Sequence, residues 1–473
     1  MIARIARKEF TEMARDGRFR ASAAVVLVLL AASIAMGWAH RREVAAQHRE
    51  AGRATRRQWL EQGAKNPHSA AHYGMYAFKP KMPLSLIDPG VDAYTGVAVW
   101  LEAHKQNDFK YRPAQDATAL ARFGELSSAA VLQLLVPLLI ILLSFPAFAG
   151  ERDLGTLRQV LSLGVRPRDL ALGKALGVAT ALALLCVPSA VLGVLAIGLA
   201  SDVYSLPDDL PRLALMAVGY VLYLGTFVGA SLAVSAWSGS SRAALLTLLA
   251  FWVANGLIVP RLSVDVARRL HPTPSSLEFG QAIDRDIKQG MNAHDPADRR
   301  LADLKARVMK EHGVGRLEDL KVDFAGIALQ ESEEYGYRVF DARYAELWGT
   351  YARQDEVQRA AALASPLLAV RSFSMAMAGT DPEQHRDFAR AAEAYRRVII
   401  KHMNDDIAEH GKGPGVEYIA GDDVWAKVPD FEYTPPGVSR VLARRWPDLA
   451  VLGGWLALSS AAAVAAASRI RVS

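Results

Sequence analysis

Of 473 residues only one, Cys186, is a cysteine. No intrachain disulfide can form, so any segment outside a membrane must hold together by packing alone. The phosphate-cradling loop G-x-x-x-x-G-K-[ST] is missing: "LALGKALG" contains Gly173 and Lys174 but lacks the earlier glycine and the hydroxyl. H-E-x-x-H, G-x-S-x-G and Cys/His zinc spacings are missing as well. No residue is therefore assigned as catalytic or as a metal ligand, and the chain is read as no enzyme. Strand-like alternation is scarce, which points to an all-α protein.

What is present is segregated. Hydrophobic residues make up 51% and charged residues 22% of the chain, but the apolar ones collect in blocks and the charges between them. That pattern marks a polytopic membrane protein. Six blocks are long enough to span as helices, at 21–39, 127–149, 175–200, 213–237, 243–259 and 449–466. The third contains Pro188, a kink site. The fourth contains Gly225 and Gly229, a spacing that lets helices approach closely.

The net charge of +6 reports topology rather than a nucleic-acid partner. Arg4, Arg7, Lys8, Arg15, Arg18 and Arg20 precede the first block. Arg152, Arg158, Arg166, Arg168 and Lys174 lie between the second and third, Arg242 follows the fourth, and Arg469 and Arg471 follow the sixth. The loop after the third block carries Asp202, Asp208 and Asp209 and no basic residue. The positive-inside rule then puts both termini on the cytoplasmic side; the expected location is a bacterial inner membrane. Residues 40–126 and 260–448 fall outside, in the periplasm. From Ser263 to Pro447 there are 30 acidic and 26 basic residues, a balance suited to a soluble domain.

The larger outer segment reads as helical. Asp295–Pro296 and Asp381–Pro382 look like helix starts, with Gly313 and Gly411 at the matching ends. At the N-terminus, residues 1–20 place Ile2, Ile5, Ala6, Phe10 and Met13 on one helical face and basic residues on the other. This describes an elbow helix lying on the anionic inner leaflet. The competing reading, a signal-peptide n-region, would remove the first span and break the charge alternation.

The segment 150–174 is overcharged for a short loop. "GERDLGTLRQVLSLGVRPRDLALGK" resembles the loop between spans 2 and 3 of ABC-2-type transporter permeases, on Glu151, Gly155, Thr156, Leu157, Leu161, Val165, Arg168, Gly173 and Lys174. Gly164 stands where many members have proline. The outer domains are similar to those of a subgroup that includes copper-site-maturation and siderophore-associated permeases. The resemblance implies that this loop is a coupling helix docking on a separate cytoplasmic ATPase subunit, which would bind ATP and Mg2+; no cofactor is expected in this chain. Leu157, Val160 and Leu161 would supply the apolar contact, while Glu151, Arg152 and Arg158 would set orientation. The resemblance also implies a second permease copy or a homologous chain, contact with membrane lipids, and ATP-driven translocation. The alternative is a non-transporting scaffold that transmits ATP-driven motion to a periplasmic protein.

Two outer stretches remain. His68 and His72, four residues apart with Tyr73 and Tyr76 close by, could share a helix face, with His40, His48 or His104 as distant further ligands. With no third histidine assured, the aromatic and proline-rich run to Gly96 reads first as an extended wrap packed on the helical domain. The stretch 364–380 is apolar but short for a span, and its Met375 and Met377 read as core filling, in the outer domain or at the outer leaflet.

Overall fold

The computed structural model describes residues 1–116, 126–201, 205–411, 413 and 416–470; Asp202 and Arg471 of the charge pattern lie outside these. Helix α1 (Ile2–Arg15) leads into α2 (Gly17–Leu60). Then come α3 (Pro67–Tyr73) and three short strands, β1 (Met75–Phe78), β2 (Ala98–Glu102) and β3 (Lys105–Gln106). The remaining spans are built on α4 (Ser128–Asp153), α6 (Pro167–Ala200), α7 (Leu206–Trp237), α8 (Ser241–Leu270) and α14 (Val438–Ser468). A short helix, α5 (Thr156–Ser162), joins α4 to α6. Between α8 and α14 lie α9 (Ser276–Ile287), α10 (Arg299–His312), α11 (Phe324–Ala361), α12 (Pro366–Ala378) and α13 (Pro382–His410).

Six of these helices, α2, α4, α6, α7, α8 and α14, are long and apolar enough to cross a membrane. The protein is thus an all-α, six-span architecture with a largely helical second outer region. Several helices run on past their apolar block. At 1.5 Å per residue, the 44 residues of α2 reach about 66 Å, twice the thickness of a hydrocarbon core. Its polar end carries Trp59, which is fully buried and donates its Nε1–H to the carbonyl of Trp425 at 3.0 Å. There it joins an outer core of Met75 and Leu101 from the sheet and Phe388, Ile400 and Met403 from α13. The strands pair antiparallel in the order β1-β2-β3, with Met75 opposite Leu101 and Phe78 opposite Ala98. The expected wrap is therefore in part a small sheet.

Where the spans break regularity, a neighbour's side chain satisfies the backbone. Pro146 interrupts α4, and Ser235 of α7 accepts the amides of Phe148 and Ala149 (3.0 and 3.1 Å) while donating to the Phe145 carbonyl at 2.7 Å. In α8 the turn Ala254–Ile258 widens to a π-helix. Its Asn255 Oδ1 accepts from Ser365 Oγ at 2.9 Å and from the Leu367 amide at 3.1 Å, so it caps the start of α12. Helix α12 is not outer-domain core. Its Leu367, Phe373 and Met377 are fully buried in the apolar cluster of the spans, against α7 and α14.

Gly225 and Gly229 do face a partner helix. A Cβ at Gly225 would meet the flexible Leu456 Cδ1 at 2.9 Å, whereas one at Gly229 would meet Ser459 Oγ at 2.6 Å and its backbone carbon at 2.9 Å. Gly229→Val is expected to destabilise the protein by about 1–3 kcal/mol through overpacking, and Gly225→Ala by less, because the Leu456 side chain can move aside and the Ser459 backbone cannot. Thermal unfolding of the detergent-solubilised variants measures the order; equal shifts would contradict it.

One helix start differs from expectation. Helix α10 begins at Arg299, capped by Asp298 on the Arg300 amide at 2.9 Å, while Asp295 caps its own turn through the Ala297 amide. The Asp295–Pro296 pair opens a turn that precedes the helix. Asp381 behaves as expected, accepting the Gln384 amide at 2.9 Å with Pro382 in the first turn.

Candidate functional site

The loop between α4 and α6 is a helix bracketed by two glycines in the left-handed region, Gly155 (φ 73°) and Gly164 (φ 77°). An added Cβ would meet nothing at either, so it is the backbone conformation that selects glycine. Thr156 Oγ1 donates to the Glu151 carbonyl at 3.3 Å across the first of these turns. Leu157 is 3% exposed and belongs to the same core as the spans, with Val160 and Leu161 packed on it. Leu157 is therefore the root of α5 and not its outward contact. The apolar groups that do project are Leu154 and Leu163, 80% and 81% exposed at the two ends of α5. Arg158, Arg166 and Arg168 are exposed beside them.

Glu151 and Arg152 also point inward. The Arg152 guanidinium donates to the Ala236 carbonyl at 2.9 Å and to the Ser238 carbonyl, while Asp153 accepts the Ser241 amide and hydroxyl at 3.0 and 2.7 Å. The end of α4 is thus tied to the α7–α8 turn. Glu151 Oε1 pairs with Lys174 Nζ at 2.9 Å and with Lys8 Nζ at 3.1 Å, and Lys174 reaches Glu9 at 2.8 Å. Helix α1 crosses the start of α6 where Gly173 and Gly177 leave room: a Cβ at either would come within 2.6–2.7 Å of Ile5 or Glu9. Burial opposes the charge on Lys8, yet Glu9 and Glu151 outweigh it and hold its ammonium above the usual range. The loop that carries α5 and helix α1 therefore share one ion cluster, centred on the buried Lys174.

The second site lies in the outer region. His68 and His72, one turn apart on α3, have their Nε2 atoms 3.2 Å apart. His104 Nε2 lies 3.2 Å from that of His68 and 3.1 Å from that of His294. One nitrogen from each of the four falls within 4.8 Å of the others. His40 and His48 are not in this group, so the third and fourth members are His104 and His294. Sequence reading treats His104 only as a distant option and does not reach His294. Tyr73 and Tyr76 point elsewhere, Tyr73 to the Lys65 ammonium and Tyr76 to the rings of Trp100 and Tyr111.

The scaffold holds these rings firmly. His104 occupies the left-handed region (φ 62°) in the β2–β3 turn, an unusual place for a side-chain-bearing residue. Its Nδ1 and its amide both lie 2.7 Å from Glu333 Oε1 of α11, and Arg396 stands 3.6 Å from the other oxygen. Burial raises the Glu333 carboxyl, but His104 and Arg396 outweigh it and leave it below the usual range. His294 sits in a turn where its amide donates to Asn292 Oδ1 at 3.0 Å. Burial, with the neighbouring imidazoles, pushes His68 down to about 3 and lowers His72 and His294, so these rings present neutral nitrogen lone pairs.

A cavity of about 840 Å3 lies between β2, α11, α13 and the start of α14, with Trp348, Tyr344, Arg386 and Asp355 among its walls. Residues 3–297 match the family described as ABC-2 family transporter protein. Residues 276–434 match a domain of unknown function, DUF3526. No curated protein matches the chain.

Proposed function

The chain belongs to the ABC-2 family of transporter proteins, and on that premise we propose that it is driven by ATP turnover in separate cytoplasmic ATPase subunits acting on α5. It is a multi-pass membrane permease component of an ABC transporter. The carrying observation is the geometry of α5. Two leucines project from the ends of a short helix whose root is buried in the span core, with arginines beside them. A push on Leu154, Leu163 and Arg158 would reach α4 through Arg152 and Asp153, and α6 and α1 through Glu151 and Lys174. Closure of two ATPases would thereby tilt the spans of two permease copies, in the inner membrane with both termini cytoplasmic, and move a cargo between them. The chain itself would carry out no hydrolysis; ATP and Mg2+ would belong to the partner.

Fully burying an exposed leucine in a partner groove is worth about 1.5–3 kcal/mol. The double variant Leu154→Asp/Leu163→Asp is expected to bind its ATPase about 30-fold or more weakly and to lose stimulated turnover. Stability should change by less than about 0.5 kcal/mol, as for other exposed positions. Stimulated ATP turnover at the wild-type level would sink the assignment. A second reading, ATP-driven motion delivered to a periplasmic partner without cargo, draws support from α12, which packs on both α7 and α14 against the span core. Cargo or lipid release by reconstituted vesicles separates the two.

A further inference from the structure

We propose that His68, His72, His104 and His294 form a binding site for a divalent transition metal ion of the zinc class, which clasps the two outer segments together. Three close Nε2···Nε2 pairs, at 3.1–3.2 Å, link all four rings. A tetrahedral zinc site with Zn–N of about 2.0–2.1 Å has ligand edges of about 3.3–3.4 Å. Three of the six edges therefore already stand near the separations that a central ion would impose, with all four nitrogens within 4.8 Å of one another.

Proton placement supports the same centre. His104 meets Glu333 through Nδ1, so its Nδ1–H donates to that carboxylate and its Nε2 lone pair faces the other rings. This is the carboxylate–histidine–metal arrangement that fixes a ligand's tautomer and raises its basicity. Arg396 and Glu393 hold Glu333 in turn: Arg396 Nε and Nη2 donate to Glu393 at 2.8 and 2.9 Å, and its Nη1 donates to the Glu102 carbonyl at 3.1 Å. Without an ion, the one lone pair on His104 Nε2 faces two imidazole nitrogens at once.

The donor set selects the ion. Four imidazoles and no carboxylate oxygen at the centre disfavour Ca2+ and Mg2+, which take oxygen ligands. With no thiolate or thioether in the group, soft-metal selectivity has no basis either. All four tetrahedral positions come from the protein, which describes a closed, structural site rather than one with an open catalytic position. Half-exposed His72 and His294 leave a route for loading.

The clasp follows from chain connectivity. His68, His72 and His104 belong to the segment before α4, while His294 belongs to the segment after α8, 190 residues from His104. Glu333 adds a second tie from α11. An ion here would fix the α3–sheet unit to the α10–α11 unit, on the side of the protein far in sequence from the coupling loop. The assignment does not depend on ATPase coupling.

The test uses the full chain in detergent, carrying a non-histidine affinity tag and stripped with EDTA. Added Zn2+ is expected to bind at one ion per chain after gel filtration and to raise the unfolding temperature. Co2+ should give the intense visible band of a four-coordinate site. The double variant His72→Ala/His294→Ala, changed at two exposed positions so that it folds, should retain no zinc and show no thermal shift. His312→Ala, exposed and outside the group, should bind like wild type. Glu333→Gln should keep the cobalt band but weaken affinity by about 10–100-fold. The proposal is overturned if wild type and the double variant bind the same amount of zinc, or if both give only a six-coordinate cobalt spectrum.

Discussion

Replacing Lys174 by Met should cost about 3–5 kcal/mol and release α1 from the bundle. The Lys174 side chain is 1% exposed and lies between Glu9 (2.8 Å) and Glu151 (2.9 Å), with the Phe148 ring 5.5 Å away. Removing one partner of a buried ion cluster is expensive because the others stay desolvated. Here two carboxylates would remain, with only the half-exposed Lys8 to share, and Glu151 Oε2 is already buried without a partner. In helix α1 Ala6 is buried and Ile5, Phe10 and Met13 are only partly buried against the span core, so the ion cluster carries a large share of its attachment. Detergent-phase thermal unfolding and limited proteolysis within residues 1–15 provide the readouts. The triple variant Glu9→Gln/Glu151→Gln/Lys174→Met, which removes every uncompensated charge, should recover most of the loss. A single variant as stable and as protease-resistant as wild type would disprove the role of the cluster.

The family motif acquires a physical meaning from this cluster. Glu151 and Lys174 stand 23 residues apart and bracket α5, and their contact closes the loop that carries it. Their place in the pattern was legible in the sequence, but the inward contacts of Glu151 and Arg152 were not. A glutamate and an arginine in a short charged loop between two spans read as docking groups, because neither α1 crossing at Gly173 nor the carbonyls at the end of α7 leave a local signature. Leu157 is misread for the same reason. On a seven-residue helix, apolar spacing cannot tell the face turned to the protein from the face turned outward.

The spans were legible because bilayer thickness and hydropathy act over about 20 residues. Their true ends were not. Past Ala39, the run "HRREVAAQHREAGRATRRQWL" is rich in Ala, Arg, Glu and Gln, strong helix formers, so α2 continues to Leu60 although its hydropathy falls. The histidine site was half legible. His68 and His72 share a helix face by spacing alone, whereas His104 and His294 arrive through a hairpin turn and a loop that only tertiary packing brings together. The strands are two to five residues long, too short for alternation to register.

Asp92 tests how the first outer segment is fastened to the spans. Its carboxylate receives Lys79 at 2.7 Å and Lys81 at 3.0 Å, and the Asp92 and Lys79 side chains are both under 10% exposed. Beside it, the Val91 amide donates to the Thr380 carbonyl at 3.0 Å, Thr380 Oγ1 donates to the Asp88 carbonyl at 3.0 Å, and Ser374 Oγ donates to Asp88 Oδ2 at 2.5 Å, so the loop is latched to the end of α12. Asp92→Asn leaves Lys79 buried with no carboxylate and should cost about 3–5 kcal/mol, whereas Asp92→Leu/Lys79→Met/Lys81→Met, which removes all three charges, should approach wild type, since a buried ion cluster is worth little against apolar replacements. Burial raises the Asp92 carboxyl, but the two lysines outweigh it and leave it below the usual range. Its contribution is therefore full above the unfolded carboxyl value of about 3.9 and is lost as pH falls through the lower folded value. Asp88 carries the opposite sign: burial outweighs Ser374, the Gly90 amide and Arg371 and raises its carboxyl. Its stabilisation is full below the unfolded value and is lost as pH rises through the folded one. Unfolding measured from pH 3 to pH 8 should show Asp92→Asn converging on wild type toward the acid end and diverging toward neutrality, with Asp88→Asn most costly at the acid end. Parallel curves for Asp92→Asn and wild type would mean that the lysines do not govern this carboxylate, and that the latch rests on Thr380 and Ser374 alone.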